Sequence, residues 1–65
     1  KTIMKLWIAR DKNGELYLYN MMPEEHEEYF VERSGHRSLP LDDEYFPEVT
    51  FENSPQEVEL KLIEK

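Results

Sequence analysis

Sixty-five residues make a single small domain at most, spanning 1–65: typical domains run to about 100–150 residues, and a chain this short buries only about 60% of its unfolded surface. There is no cysteine, which excludes disulfides and thiolate–zinc sites, and the longest apolar run, Leu6-Trp7-Ile8-Ala9, is too short for a membrane span or a signal-peptide core. Eight basic residues stand against fifteen acidic ones, net −7, which argues against direct nucleic-acid binding through the phosphate backbone.

The charge is uneven. Residues 1–12 carry four basic side chains against Asp11 alone, whereas residues 13–65 carry four basic and fourteen acidic ones. Low mean hydropathy leans towards disorder, but eight aromatics and regular apolar patterning lean harder the other way. The chain is expected to fold. It begins at Lys1 instead of a methionine, which leaves room for an upstream segment.

The first expected element is a hairpin. Met4–Arg10 and Glu15–Tyr19 are rich in β-formers, and Asn13-Gly14 between them is a strong turn signal. A two-residue turn would set Ala9 opposite Leu18. A three-residue loop, with Gly14 left-handed in a bulge, sets Ile8 opposite Leu18 and Arg10 opposite Leu16. The bulged register is preferred, because it gathers Met4, Leu6, Ile8, Leu16 and Leu18 on one face. Lys5, Trp7, Ala9, Tyr17 and Tyr19 then share the other, and a one-residue slip would mix the sets. Asp11 suits the first turn position, where its carboxylate can accept local backbone N–H bonds.

Asn20-Met-Met-Pro23 leaves the hairpin, and Glu24–Glu28 reads as a charged connector. Tyr29–Arg33, the turn Ser34-Gly35 and His36–Leu41 read as a second hairpin, with Glu32 facing Arg37 and Phe30 facing Leu39. Pro40 donates no ladder bond, so its strand should be an edge or end there. Asp42–Phe46 looks like one helical turn, capped by Asp42 and stopped by Pro47. Glu48–Phe51 is expected to be a short extended piece. Ser54-Pro55-Gln56-Glu57 fits a helical capping box, yet Val58, Leu60 and Leu62 alternate with Glu57, Glu59 and Lys61. The alternation favours a strand, with a helix as the alternative. The expected fold is therefore mainly β. It is a small antiparallel sheet or partly open barrel of four or five strands, made of two hairpins plus a C-terminal strand, with one short helical turn near 42–46.

Two stretches carry a resemblance. Trp7-Ile-Ala-Arg-Asp-Lys-Asn-Gly-Glu-Leu-Tyr-Leu-Tyr19 and Phe46-Pro-Glu-Val-Thr-Phe-Glu-Asn-Ser-Pro-Gln-Glu-Val-Glu-Leu60 resemble short uncharacterised proteins of gut bacteria and their phages or mobile elements. The resemblance implies a compact bacterial or phage-associated protein of the cytoplasm. It implies no activity, ligand or site residue.

Chemistry-bearing groups are few. Glu24, Glu25, His26, Glu27 and Glu28 offer oxygen ligands and an imidazole, but a contiguous run has no metal-loop pattern and reads as a solvated connector. Asp11-Lys-Asn-Gly-Glu15 has its glycine at the fourth position of a would-be calcium loop, where the sixth is needed, and Met22 at the twelfth, so it reads as a turn. His36 lies near Ser34 and Ser38, with Asp42 and Asp43 following, but a sheet this small has little volume for a water-excluding pocket. No enzyme, metal or cofactor is expected. Lys5, Trp7, Tyr17 and Tyr19 on one hairpin face, with Met21 and Met22 beside it, form the expected interaction surface, unless that face packs inside the monomer. The expected role is protein–protein interaction, either with an unidentified protein partner or as a homodimer through the first hairpin. The alternative is an acidic inhibitor that mimics nucleic acid to block a DNA-binding protein.

Overall fold

Apolar residues at period two build sheets, and this chain is almost entirely sheet and turn. The computed structural model describes residues 3–33 and 37–63. Its strands are β1 (Ile3–Arg10), β2 (Leu16–Tyr19), β3 (Glu24–Glu25), β4 (Phe30–Val31), β5 (Ser38–Leu41) and β6 (Gln56–Lys61). Four form an antiparallel sheet in the order β5-β2-β1-β6, and β3 pairs antiparallel with β4 in a second, two-stranded sheet. The large sheet is open, with β5 and β6 as its edges, so the barrel variant is not formed.

The first hairpin adopts the bulged register. Ile8 pairs with Leu18 and Arg10 with Leu16. Gly14 sits at φ +100°, a conformation that costs a residue with a Cβ but not glycine. Its N–H donates to the Asp11 carbonyl at 2.9 Å, and the Asp11 N–H donates to the Glu15 carbonyl at 2.8 Å. The Asp11 carboxylate, however, accepts no local bond. Its Oδ1 accepts the Phe30 N–H at 2.9 Å, while the Lys12 N–H donates to the Glu28 carbonyl at 2.9 Å. The hairpin turn thus clips β4 to the main sheet. The local acceptor role falls to Asn13, whose Oδ1 takes the Glu15 N–H.

The middle of the chain pairs differently from the sequence expectation. The second hairpin is 24–31, not 29–41. Glu24 and Glu25, expected in a connector, pair with Val31 and Phe30, and the His26 N–H closes the turn on the Tyr29 carbonyl at 2.8 Å. The expected turn at Ser34–His36 lies outside the described residues. β5 joins β2 instead, matching Leu39 to Leu18 and Leu41 to Leu16. That choice has a physical reason. It extends the leucine face of β2 by one strand and releases Phe30 to cover the opposite face beside Tyr19 and Ala9. Local pairing of Phe30 with Leu39 would forfeit both. Pro40 does lie on an edge strand, as its missing donor requires.

The segment after β5 is turns throughout. The helical turn expected near 42–46 is a single reverse turn, with the Tyr45 N–H on the Asp42 carbonyl at 3.1 Å and the Asp42 Oδ1 accepting the Glu44 N–H at 2.9 Å. The piece expected to be extended at Glu48–Phe51 is bent instead. The Val49 N–H bonds the Phe46 carbonyl at 2.9 Å, and Phe46 takes φ +52°. β6 is a strand, as its alternation indicated, and pairs Leu6 with Val58 and Met4 with Leu60. Ser54 caps nothing. Its Oγ accepts the Arg10 N–H at 2.9 Å and donates to the Thr50 carbonyl, tying the chain to β1 before β6 begins.

Each face of the sheet has its own small core. On the Trp7 face, Ala9, Tyr19 and Phe30 are buried, with Trp7, Tyr17 and Phe51 against them. Phe30 and Phe51 meet at 5.6 Å in a tilted pair. On the opposite, leucine face, Ile8, Leu16 and Val49 are buried, with Leu41 and Val58 alongside. Val49 comes from the turn segment, and Arg10 brings it there. The Arg10 Nε donates to the Val49 carbonyl at 2.5 Å, Nη1 to Gly14 and Asp43 at 2.7 and 3.1 Å, and Nη2 to Tyr45 and Phe46 at 2.9 and 3.1 Å. All five guanidinium donors are engaged by backbone carbonyls.

Two substitutions test this scaffold. Arg10→Lys keeps the charge but loses the planar fork, leaving several turn carbonyls without a donor. It should cost about 1–3 kcal/mol in urea denaturation followed by Trp7 fluorescence, and an unchanged midpoint would contradict the role assigned to Arg10. Asp11→Ala leaves the Phe30 N–H unpaired and should also cost about 1–3 kcal/mol, whereas Asp11→Asn keeps an acceptor oxygen and should cost clearly less. Equal losses in both Asp11 variants would place the effect outside that hydrogen bond.

Candidate functional site

The six residues expected to form an interaction surface separate in the fold. Tyr19 is only 2% exposed, and its hydroxyl donates to the Phe30 carbonyl at 3.3 Å. Trp7 and Tyr17 are half-buried against the same cluster, so the aromatic face packs largely within the monomer under β4 and Phe51. Lys5 is exposed, with Nζ 3.7 Å from Glu57, a solvated pair of little energetic weight. Met21 and Met22 are also exposed, and the Met22 carbonyl accepts the Arg33 Nε at 3.0 Å. β2 is moreover a central strand, flanked by β1 and β5, so the first hairpin offers no free strand edge.

The other expected groups disperse. His26 stacks on Tyr29 at 5.4 Å rather than converging with the neighbouring glutamates. Among the described residues no group of three or more histidine or acidic side chains could hold a metal ion. Ser34 and His36 lie outside those residues, and the Ser38 Oγ donates to Glu32 at 3.1 Å. Among the described residues no helix is long and apolar enough to cross a membrane.

What the structure leaves open is the far half of the leucine face. Val49 covers only the end near Arg10. At the other end Met4 is 52% exposed, Leu39 56% and Leu60 58%. These residues belong to three strands, and Leu6 and Leu18 lie between them. The strand pairings make the surface one apolar band across β5, β2, β1 and β6. It carries two shallow depressions. One, of about 410 Å³, has Leu6, Leu18 and Leu39 in its floor and Asn20 and Arg37 at its rim. The other, of about 490 Å³, lies between Met4, Leu60, Lys61 and Leu62. The chain's dimensions, 42 × 28 × 17 Å, are those of a slab, and its radius of gyration of 12.2 Å exceeds the roughly 11 Å of a compact chain this long.

The electrostatics of the band are distinct. No strand position on the leucine face is acidic, in a chain with fifteen acidic residues. The cations beside it, Arg10, Arg37 and Lys61, differ in availability. Arg10 is consumed by the turn carbonyls, whereas Arg37 meets no carboxylate among the described residues. Of the residues that the sequence pattern sets on one face with Ile8 and Leu16, Leu6 is buried, Leu18 is half-buried and Met4 is exposed. The sequence signal for an open surface is the shortage of apolar residues left to cover both faces.

Titration reports the closed face. Burial pushes the Tyr19 phenol well above its ordinary 10.0, and the negative charges of Asp11 and Glu32 add to this. Tyr17 is raised mainly through its hydrogen bond to Glu15. Burial also raises the Asp11 carboxyl, against the opposing effect of the Phe30 N–H. A raised phenol binds its proton more tightly when folded, so its contribution is complete below about pH 10 and is lost as pH rises beyond that. Tyr19→Phe should therefore flatten the alkaline loss of stability seen in the parent chain, and parallel profiles would exclude a buried Tyr19 hydroxyl.

No family model, curated protein or solved structure matches this chain, and the functional reading rests on the open leucine band.

Proposed function

We propose that this chain is a small protein–protein interaction module. It docks an apolar segment of another protein, one that also presents a carboxylate, onto the open half of its leucine face. One observation carries the reading: Met4, Leu39 and Leu60 stand more than half exposed on a contiguous band that has no acidic strand position. Apolar patches rimmed by polar residues mark interaction sites. The acid in the partner follows from Arg37, the cation at the rim of the depression floored by Leu6, Leu18 and Leu39. Under this reading the surface is not the aromatic one, whose rings stabilise the monomer. The bacterial or phage-associated, cytoplasmic setting is supported by the sequence resemblance.

The acidic-mimic alternative draws on exposed carboxylates such as Asp42, Asp43, Glu44, Glu57 and Glu59. The same charges also serve ordinary solubility, since small domains commonly hold a net charge of magnitude about 2–8.

A displayed random peptide library, selected on the immobilised chain and counter-selected on Leu39→Asp, tests the proposal. The expected result is a set of apolar peptides with an acidic residue, whose binding survives moderate salt and falls at least about tenfold on the variant. Peptides indifferent to Leu39→Asp, or no enrichment at all, would overturn it. Binding partners that compete with DNA and are lost at moderate salt would favour the mimic.

A further inference from the structure

The edge strand β6 has a sequence that complements itself. Among the described residues β6 pairs with β1 on one side only, so its other side presents a row of backbone donors and acceptors with no strand partner. Beyond Lys61 the chain continues with Leu62 and Ile63, each 84% exposed. No proline interrupts residues 56–63. We infer that this edge pairs with the β6 edge of a second copy, antiparallel about a two-fold axis through Leu60.

Side-chain chemistry selects that register. Residues opposite each other on antiparallel strands share a face, so a two-fold pairing that keeps the sheet continuous must centre on a residue. Centring on Glu57, Glu59 or Lys61 sets that charge against its own copy. Centring on Val58 sets Glu57 against Glu59 twice. Centring on Leu60 sets Glu59 against Lys61 twice, and no like charges meet. The same register puts Val58 opposite Leu62 and Leu60 opposite Leu60 on the leucine face. Directly opposed side chains lie about 5 Å apart, within reach of an ion pair. A residue pattern that sets like charges together at the centres Glu57, Val58, Glu59 and Lys61 while matching charges at Leu60 explains how an exposed edge, a liability for a monomer, can have a specific partner.

The dimer would have a consequence for the proposed docking surface without depending on it. A two-fold axis normal to the sheet leaves both leucine faces on the same side. The two Leu60 side chains then adjoin across the axis, each with Met4 on the next strand behind it, and two open bands become one eight-stranded platform.

Charge exchange tests the pairing without touching buried residues. Sedimentation and light scattering over a series from low to high micromolar concentration should show a monomer–dimer equilibrium for the parent chain. Lys61→Glu should weaken it by about tenfold or more, because both ion pairs become repulsions. Combining Glu59→Lys with Lys61→Glu should restore it, with circular dichroism confirming the fold in each. Because the chain has no cysteine, a short bis-thiol crosslinker reads the register directly: Leu60→Cys should couple to its copy and Glu57→Cys should not. A monomer throughout the series, a dimer indifferent to Lys61→Glu, or efficient coupling through Glu57→Cys would overturn the inference. A dimer lost instead with Leu39→Asp would be a face-to-face association, which also overturns it. None of these failures bears on peptide selection by the leucine band.

Discussion

A single guanidinium organises this fold. Residues 42–54 cross one end of the sheet with no strand of their own, so the carbonyls of their turns need donors from elsewhere. Arg10, the last residue of β1, supplies all five of its N–H groups to four of those carbonyls and to Gly14. The backbone of Arg10 meanwhile donates to Ser54. The cation is balanced by carbonyl dipoles rather than by a carboxylate, and its planar, forked geometry is what permits that. Through these bonds a segment with little regular structure becomes a lid that lowers Val49 onto Ile8 and Leu16.

The reach of that lid also decides what stays uncovered. A chain of this length has apolar residues enough for two partial cores. The Trp7 face receives Phe30 from β4 and Phe51 from the turns, with the Asp11 carboxylate holding Phe30 in place. The leucine face receives Val49 alone. Beyond Val49 the band from Leu39 to Leu60 has no covering segment: Leu6 is buried among its neighbours, but Met4, Leu39 and Leu60 stay more than half exposed. The openness is a direct result of dividing a small supply of large side chains between two faces.

Charge placement follows the same division. Acidic side chains occupy the turns, the β3–β4 hairpin and the Trp7 side of β6, and stay off the leucine strand positions. Net charge keeps such a chain soluble. Keeping that charge off the exposed apolar band preserves a surface on which desolvation is inexpensive. Within the basic N-terminal segment, Arg10 is bound within the fold and Lys5 lies next to Glu57.

The sequence by itself determined the local geometry. Asn13-Gly14 and the alternation around it fixed the bulged register of β1 and β2, because a slip would exchange whole faces. The period-two pattern of Val58 and Leu60 fixed β6 as a strand, and Pro40 marked an edge. Which strands become neighbours was decided only in three dimensions. Phe30 and Leu39 look like cross-strand partners in sequence, but each finds a larger apolar surface with a more distant strand. Asp42–Phe46 has the caps of a helix, but its carbonyls are claimed by Arg10 from across the chain. Those choices depend on competition between long-range contacts, which no local pattern encodes. The same competition moved the candidate site from the Trp7 face to the leucine face, since which face stays open depends on where Phe30, Val49 and Phe51 come to rest.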